Sequence, residues 1–291
     1  MDEPLVAHLR ALTFERHPIS SPSGLRRAQD YLAAQFHRAG LKVAFHAFRA
    51  LGGTYKNVIG SLAPSRGAGQ RTPPPLIIAA HYDTVEGSPG ADDNASGLVV
   101  LLEVARALSQ MTLSREVRFI AFCLEEEDLL GSLAYAASLR EANEQIEGAL
   151  VLECVGYTSE KKGSQGAPPG TPIAVPTVGD FLAIVGNTAS ASLADAFQQA
   201  ATRKCRDLKT ISLSVPARGD TLPDTRRSDH AAFWHYGYPA LMLTDTANFR
   251  NPHYHRSTDT LDTLDISFIQ RVARAVAATA VNLPPAHSLN S

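Results

Sequence analysis

Residues 76–102, LIIAAHYDTVEGSPGADDNASGLVVLL, constrain the chain more than any other stretch. They open as an apolar run without helical spacing (Leu76, Ile77, Ile78, Ala79, Ala80), which reads as a strand buried on both faces. His81 and Asp83 stand at its end and a Gly/Pro loop follows. Asp92, Asp93 and Asn94 then lead from Ser96 into an apolar helix. A strand that ends in a histidine and an acid, with a loop carrying more acids into a helix, is how α/β folds build sites at the carboxyl edge of a sheet. The residue types at that edge predict a pair of metal ions.

Elsewhere the chain alternates strands with helices. Residues 5–12 read as a short helix, and 18–24 break the chain. Residues 25–39 are amphipathic, with Leu25, Ala28, Leu32 and Phe36 on one face and Gly40 in the C′ position that ends a helix. Residues 41–48 and 55–62 alternate as antiparallel edge strands do, and 64–75 read as a surface loop. After a helix over 98–108, residues 116–124 predict a strand that runs into Glu125, Glu126 and Glu127. A helix over 132–141 precedes a short strand, 148–153, that also ends in an acid. Residues 156–176, dense in Gly, Pro, Lys and Ser, read as a long loop, flexible or lining the cleft. A strand over 181–185, a helix over 190–204 and a second loop over 216–227 lead to Ser228-Asp229-His230. Residues 239–245 predict a strand, 248–264 a polar segment with histidines, and 266–281 a closing helix.

This order predicts a single α/β domain whose twisted, mostly parallel (mixed) central sheet is flanked by helices, with the site at the carboxyl edge of the strands. Residues 1–75 supply N-terminal helices and edge strands, 76–285 the catalytic core and 286–291 a tail. At 291 residues, 44% of them hydrophobic, the chain can bury such a core. Its net charge of −2 and lack of a basic run argue against nucleic-acid and membrane partners. The start, MDEPLVAHLRAL, is unlike a secretory signal, and no apolar run is long enough to span a bilayer, so the expectation is a cytoplasmic protein. Cys123, Cys154 and Cys205 are too few for a disulfide framework and contain no CxxC pair.

Strand ends in one parallel sheet share an edge, so His81, Asp83, Glu125, Glu126 and Glu153 can converge, with Asp92 on the loop between. Imidazole together with carboxylates suits zinc and other first-row divalent ions. Without cations such a set repels itself. Two ions roughly 3.5–4 Å apart, bridged by one carboxylate, would resolve that. Ser228, Asp229 and His230 do not form a hydrolytic triad, because adjacent residues cannot aim at one another, and no GxSxG elbow is present.

The segments AHYDTVEGSPGADDNASG, FCLEEEDLLGS, VLECVGY and NPHYHRSTDT occur in this order and resemble the successive signatures of the M28 family of zinc-dependent aminopeptidases. The N-terminal helix and YKNVIG fit as well, so the resemblance covers nearly the whole chain. It implies two Zn2+ ions, a peptide substrate and a set of roles. His81 is a ligand of the second metal and Asp83 orients its imidazole. Asp92 bridges the two metals, and Asp93 follows it across a cis peptide bond. Glu126 and His255 serve the first metal, and Glu153, where many members carry Asp, the second. His253 rivals His255, but the YHxxxDT register of Tyr254, His255, Asp259 and Thr260 favours the latter. Glu125 is the general base, with Glu127 its rival in the run of acids. Asp128 replaces the glycine of the family's EExGLxGS, a change Asp tolerates where φ is positive. Asp229 and His230, in a segment like the family's SDHxxFW, stand behind the ligands or in the cleft wall. Arg250 and Asn251 are candidates for holding a substrate carbonyl or carboxylate, and Tyr254 for meeting an oxyanion. Asn94-Ala95-Ser96 matches a glycosylation sequon inside the predicted metal loop.

The expected activity is that of a di-zinc exopeptidase acting on peptide N-termini. A single-zinc glutaminyl cyclase is the nearest alternative, opposed by the retention of both His81 and Glu153. A carboxypeptidase-like relative would use Arg250, and a non-catalytic binding domain would be expected to have lost ligands. The preferred side chain and the oligomeric state are not legible in the sequence.

Overall fold

The computed structural model describes residues 3–65 and 73–284. Its helices are α1 (Glu3–Leu12), α2 (Pro22–Arg38), α3 (Gly97–Leu108), α4 (Leu130–Glu141), α5 (Ala191–Lys204), α6 (His230–His235) and α7 (Ile266–Asn282). Its strands are β1 (Lys42–Ala50), β2 (Gly53–Leu62), β3 (Leu76–His81), β4 (Val117–Phe122), β5 (Gly148–Glu153), β6 (Phe181–Asn187), β7 (Lys209–Val215) and β8 (Ala240–Thr244). The eight strands form one sheet in the order β1-β2-β4-β3-β5-β8-β6-β7. The centre, β4-β3-β5-β8, is parallel. β2 joins it antiparallel through β4, and β6 joins it antiparallel through β8.

The central strands read as nearly unbroken apolar runs because both of their faces are covered. Leu76, Ile78 and Ala80 of β3 and Val117, Phe119 and Ala121 of β4 pack into one core with α1, α2, α3, α5 and α7. Ile77, Ala79, Ile120 and Phe122 alternate to the other side, against Tyr135 and Leu139 of α4 and Phe233 and Trp234 of α6. The face predicted for α2 is the one buried, through Leu25, Ala28, Leu32 and Phe36.

Two elements escaped the sequence reading. β7 (KTISLSV) carries a lysine, serines and a threonine and is only partly buried, as an edge strand covered on one side is. α6 spans six residues, too few for helical periodicity to register. The loop expected over 64–75 and the tail expected over 286–291 fall largely or wholly outside the described residues. The long loop after β5 is tied down at several points. Ser159 bridges Gly179, Gly163 N donates to Thr177 O, and Gly166 N donates to Phe249 O. No helix among the described residues is long and apolar enough to cross a membrane.

Candidate metal centre

β3, β4 and β5 are parallel neighbours, so their carboxyl ends deliver side chains to one place. His81 closes β3, Glu125 and Glu126 follow β4, and Glu153 closes β5. His81 Nε2 lies 3.1 Å from Asp93 Oδ1, 3.4 Å from Glu153 Oε2 and 3.9 Å from Glu125 Oε2. His255 Nε2 lies 3.0 Å from Asp93 Oδ2 and 3.3 Å from Glu126 Oε2. Three groups of potential ligands result among the described residues: His81–Asp93–Glu153 and Asp93–Glu126–His255, which share Asp93, and His81–Glu125–Glu126, which joins the two.

The residues fit bound cations. His81 Nε2, both carboxylate oxygens of Asp93 and Glu126 Oε1 are buried without a hydrogen bond, a costly state for polar atoms unless an ion completes them. The His81 ring is set for the task. Its Nδ1 sits 3.2 Å from the carbonyl of Asp83, which can only accept, so in the neutral ring Nε2 carries the lone pair that faces the acids.

Asp93, one residue beyond the Asp92 expected to bridge, is the acid that lies between the two histidines. Asp92 turns away, and its oxygens accept from Gly156 N at 2.8 Å and Asn251 Nδ2 at 2.7 Å. The cis peptide bond is likewise one residue on, at Asp93–Asn94. The turn Ala91–Ser96 is held from several sides. Asp259 accepts from Asp92 N and Asp93 N at 2.9 and 3.1 Å. Asn94 donates to Leu152 O and accepts from Gly97 N and Cys154 N. Ser96 Oγ donates to Asp92 O and accepts from Val155 N. Asn94 is fully buried and spent on these bonds, which closes it to glycosylation.

Asp83 does for the glutamates what Asp259 does for the aspartates. Its two oxygens accept from Glu125 N and Glu126 N, both at 3.1 Å. With that backbone pinned, Glu125 points toward His81 and Glu126 toward His255. Glu127 leaves the cluster and lies 3.6 Å from His17 Nε2. Asp128 has φ 61°, the left-handed conformation that made glycine natural there.

The protonation pattern follows from crowding the acids around two rings. Burial works to lower His81, but Glu125, Glu153, Asp83 and Asp93 raise it well above the imidazole range. Burial likewise opposes protonation of His255, yet Asp93 and Glu126 raise it to about 10. Glu126 is pushed up to about 7 by burial and by the charge of Asp93. Burial pushes Glu125 well up; His81 opposes the shift, and Glu153, Glu126 and Asp229 add to it. In the metal-free chain the histidinium rings thus act as countercharges, a task that bound cations would take over with release of protons.

The remaining predicted residues take more distant places. Ser228 Oγ donates to Glu153 Oε2 at 2.8 Å, and the neighbouring Asp229 is fully buried, raised to about 7 by that burial. His230 donates from Nε2 to Thr225 O at 2.7 Å and stands edge-on to Trp234, away from the acids. His253 hydrogen-bonds Thr258 Oγ1 and does not approach the acids. Tyr254 stacks on the His255 ring with centroids 3.8 Å apart. Arg250 is only 5% exposed. Its Nε donates to Gln165 Oε1, and the guanidinium lies over Phe181, so it braces the wall and does not reach into the cleft. Asp259, Asn94 and Asn251 were not expected as scaffold. Each stood in a segment the sequence had marked, Asp259 in the YHxxxDT register, Asn94 in the acidic loop and Asn251 beside Arg250 as a substrate contact, but Asn251 is spent on Asp92.

Comparison with known proteins settles the family. The model of peptidase family M28 matches residues 57–280. This chain belongs to family M28. A relative named uncharacterized protein YfbL, from Escherichia coli (strain K12), is 34% identical over 96% of this chain and 88% of its own length. The M28 chain also resembles the solved structure of BSAP, a zinc aminopeptidase from Bacillus subtilis, at 28% identity and TM-score 0.58, over 79% of this chain and 50% of that one. It spans from 23% to 55% of the length of the curated aminopeptidases it matches. A Tannerella forsythia glutaminyl cyclase shares the fold at TM-score 0.70 and 20% identity, over 98% of this chain and 99% of that one.

The same M28 chain has an apolar pocket beside the acids. α6 packs on β5 and β8, and the long loop after β5 roofs the same face of β6 and β7. Phe181, Val185, Ile211, Leu213 and Met242 form the floor, and Val175 of the loop adds to the wall. Glu153 and Tyr254 line the same pocket, which therefore opens onto the ligand cluster.

Proposed function

We propose that this M28 chain is a zinc-dependent aminopeptidase that holds two divalent ions, one through His81, Asp93 and Glu153 and one through Asp93, Glu126 and His255. The observation that carries this reading is the pair of ligand groups sharing Asp93, with Glu125 beside them and an apolar pocket opening at Glu153. Bound there, the ions would supply Lewis acidity and lower the pKa of water toward neutrality.

The chain's own residues do the rest. Glu125, held by Asp83 through its backbone, takes the proton of the attacking water and returns it to the leaving amine. Asp83 and Asp259 keep the acids preorganised through four backbone hydrogen bonds. The pocket accepts an apolar side chain at the substrate's N-terminus and excludes water from it. Tyr254, stacked on His255, lines the pocket, and its hydroxyl accepts from Arg227 Nη2 at 3.4 Å.

Two features weigh against the other readings. Both ligand groups are complete, where a one-zinc cyclase needs a single one. The arginine a carboxypeptidase would use is buried on Gln165 and Phe181.

A panel of aminoacyl fluorogenic substrates, blocked peptides and N-terminal glutaminyl peptides, run with chelator and zinc add-back, tests the reading. Cleavage of leucyl and phenylalanyl substrates is expected, lost with chelator and restored by zinc. Turnover of blocked peptides in preference to free amines would refute it. The Glu125→Gln protein should keep its metal and lose turnover by roughly 10²–10⁴-fold.

A further inference from the structure

Arg16 lies outside the residues matched by the family model, in the segment between α1 and α2, and it is fully buried. Its side chain ends in a fan of carbonyl oxygens. Nε donates to Tyr82 O at 2.7 Å, and Nη1 to Leu12 O, to Phe14 O at 2.8 Å and to Pro89 O at 3.0 Å. Nη2 donates to Gly90 O at 3.1 Å, and the Arg16 backbone N–H donates to Thr84 Oγ1 at 2.9 Å.

Those acceptors have a pattern. Tyr82 stands between His81 and Asp83 at the end of β3. Pro89 and Gly90 close the loop just before the Asp92–Asp93 turn. One planar guanidinium therefore spans the two ends of the loop that carries His81 and Asp93, a geometry lysine's single ammonium cannot reproduce. The contact is close on every side. Gly90 has φ +60°, and a Cβ there would come within 2.7 Å of Arg16 Nη2 and 2.3 Å of Asp93 O. Burial lowers the Arg16 pKa to about 10, against the pull of Asp93, Asp259, Asp83 and Glu126, so the acids of the site offset part of the cost of burying this cation.

We propose that Arg16 is a positioning residue of the metal centre. It sets the spacing between the His81 strand end and the Gly90–Asp93 turn, so that His81 Nε2 and the Asp93 carboxylate are in place for a cation before one arrives. The proposal rests on the metal-centre reading above. It adds that part of the site's affinity comes from an N-terminal segment that the matched family region does not include.

The test is zinc affinity, measured on chelator-stripped protein by competition with a chromophoric chelator, together with the d–d absorption of the cobalt-loaded protein. Arg16→Lys keeps the charge and loses the fan; Arg16→Gln loses both. Thr84→Val removes only the anchor of the Arg16 backbone and serves if the Arg16 variants do not fold. Leu9→Ala, a cavity in the buried face of α1, is the control for general destabilisation.

Both Arg16 variants should weaken zinc binding about 10–100-fold and shift the cobalt spectrum, as lost support behind a ligand does. Thr84→Val should move affinity in the same direction, and Leu9→Ala should lower Tm at unchanged affinity. If the Arg16 variants lose Tm like Leu9→Ala but bind zinc within twofold of the parent, Arg16 is ordinary structural support and the proposal fails. It also fails if Arg16→Gln binds zinc more tightly while Arg16→Lys is unchanged, since charge alone would then be at work. A parent protein that binds neither zinc nor cobalt would overturn the metal-centre reading itself, and this inference with it.

Discussion

Asp92 and Asp93 are chemically identical and adjacent, yet one meets both histidines and the other faces Gly156 and Asn251. Substitution separates the two roles. Asp93→Asn should lower zinc affinity at both sites by at least about a hundredfold, because it halves the anionic oxygens of the shared ligand. Asp92→Asn should keep two zinc ions per chain and cost about 1–3 kcal/mol of stability, the scale of a charged buried hydrogen bond. Metal content after gel filtration and urea denaturation measure the two effects. Equal metal loss in both variants would contradict the assignment. At this scale the sequence showed which residue types were present but not which of two neighbours faced the cluster. That choice is made by Asp259, 166 and 167 positions away along the chain, which pins both backbone N–H groups. Arg250 misled for a related reason. An arginine just before His255 looks available to substrate until Gln165 and Phe181 are seen to occupy it.

At the scale of elements, α6 and the turn before it make a testable unit. His230 opens the helix fully buried, donating to Thr225 O and packed edge-on to Trp234. Burial lowers its pKa from 6.5 to about 4. Between those values the unfolded chain binds a proton that the folded chain refuses. Its contribution is therefore complete above about pH 6.5 and is lost as pH falls toward 4, by up to roughly 3 kcal/mol. His230→Gln, which can still donate to the Thr225 carbonyl, should be flatter than the parent over this window. Urea midpoints at several pH values between 4.5 and 7.5 provide the comparison, and parallel curves would remove His230 as the source. The central strands were legible because burial on both faces leaves a plain apolar run. β7 was not, because an edge strand half open to solvent mixes its polar and apolar positions.

For the molecule as a whole, the carboxyl edge of the sheet concentrates acids whose mutual repulsion is relieved in the metal-free chain by the Arg16 guanidinium and by protons on His81, His255, Glu125, Glu126 and Asp229. Zinc should therefore stabilise the fold itself. At a thousandfold excess over its dissociation constant it would add about 4 kcal/mol, a rise in Tm of roughly 7 °C for a domain of this size. Calorimetry with chelator and then with zinc reads this directly; a Tm that ignores both would mean that no ion binds here. The sequence by itself determined the alternation of strands and helices, the edge of the sheet at which the chemistry gathers, and the order of the motifs that mark the family. Those features rest on local patterning, which survives in one dimension. Tertiary structure alone decided that Asp93 and not Asp92 stands between the two histidines, that Arg250 braces a wall, and that Arg16 ties the two ends of the metal loop together. Each of these depends on backbone groups from distant segments competing for one side chain, and spacing along the chain carries no record of that competition.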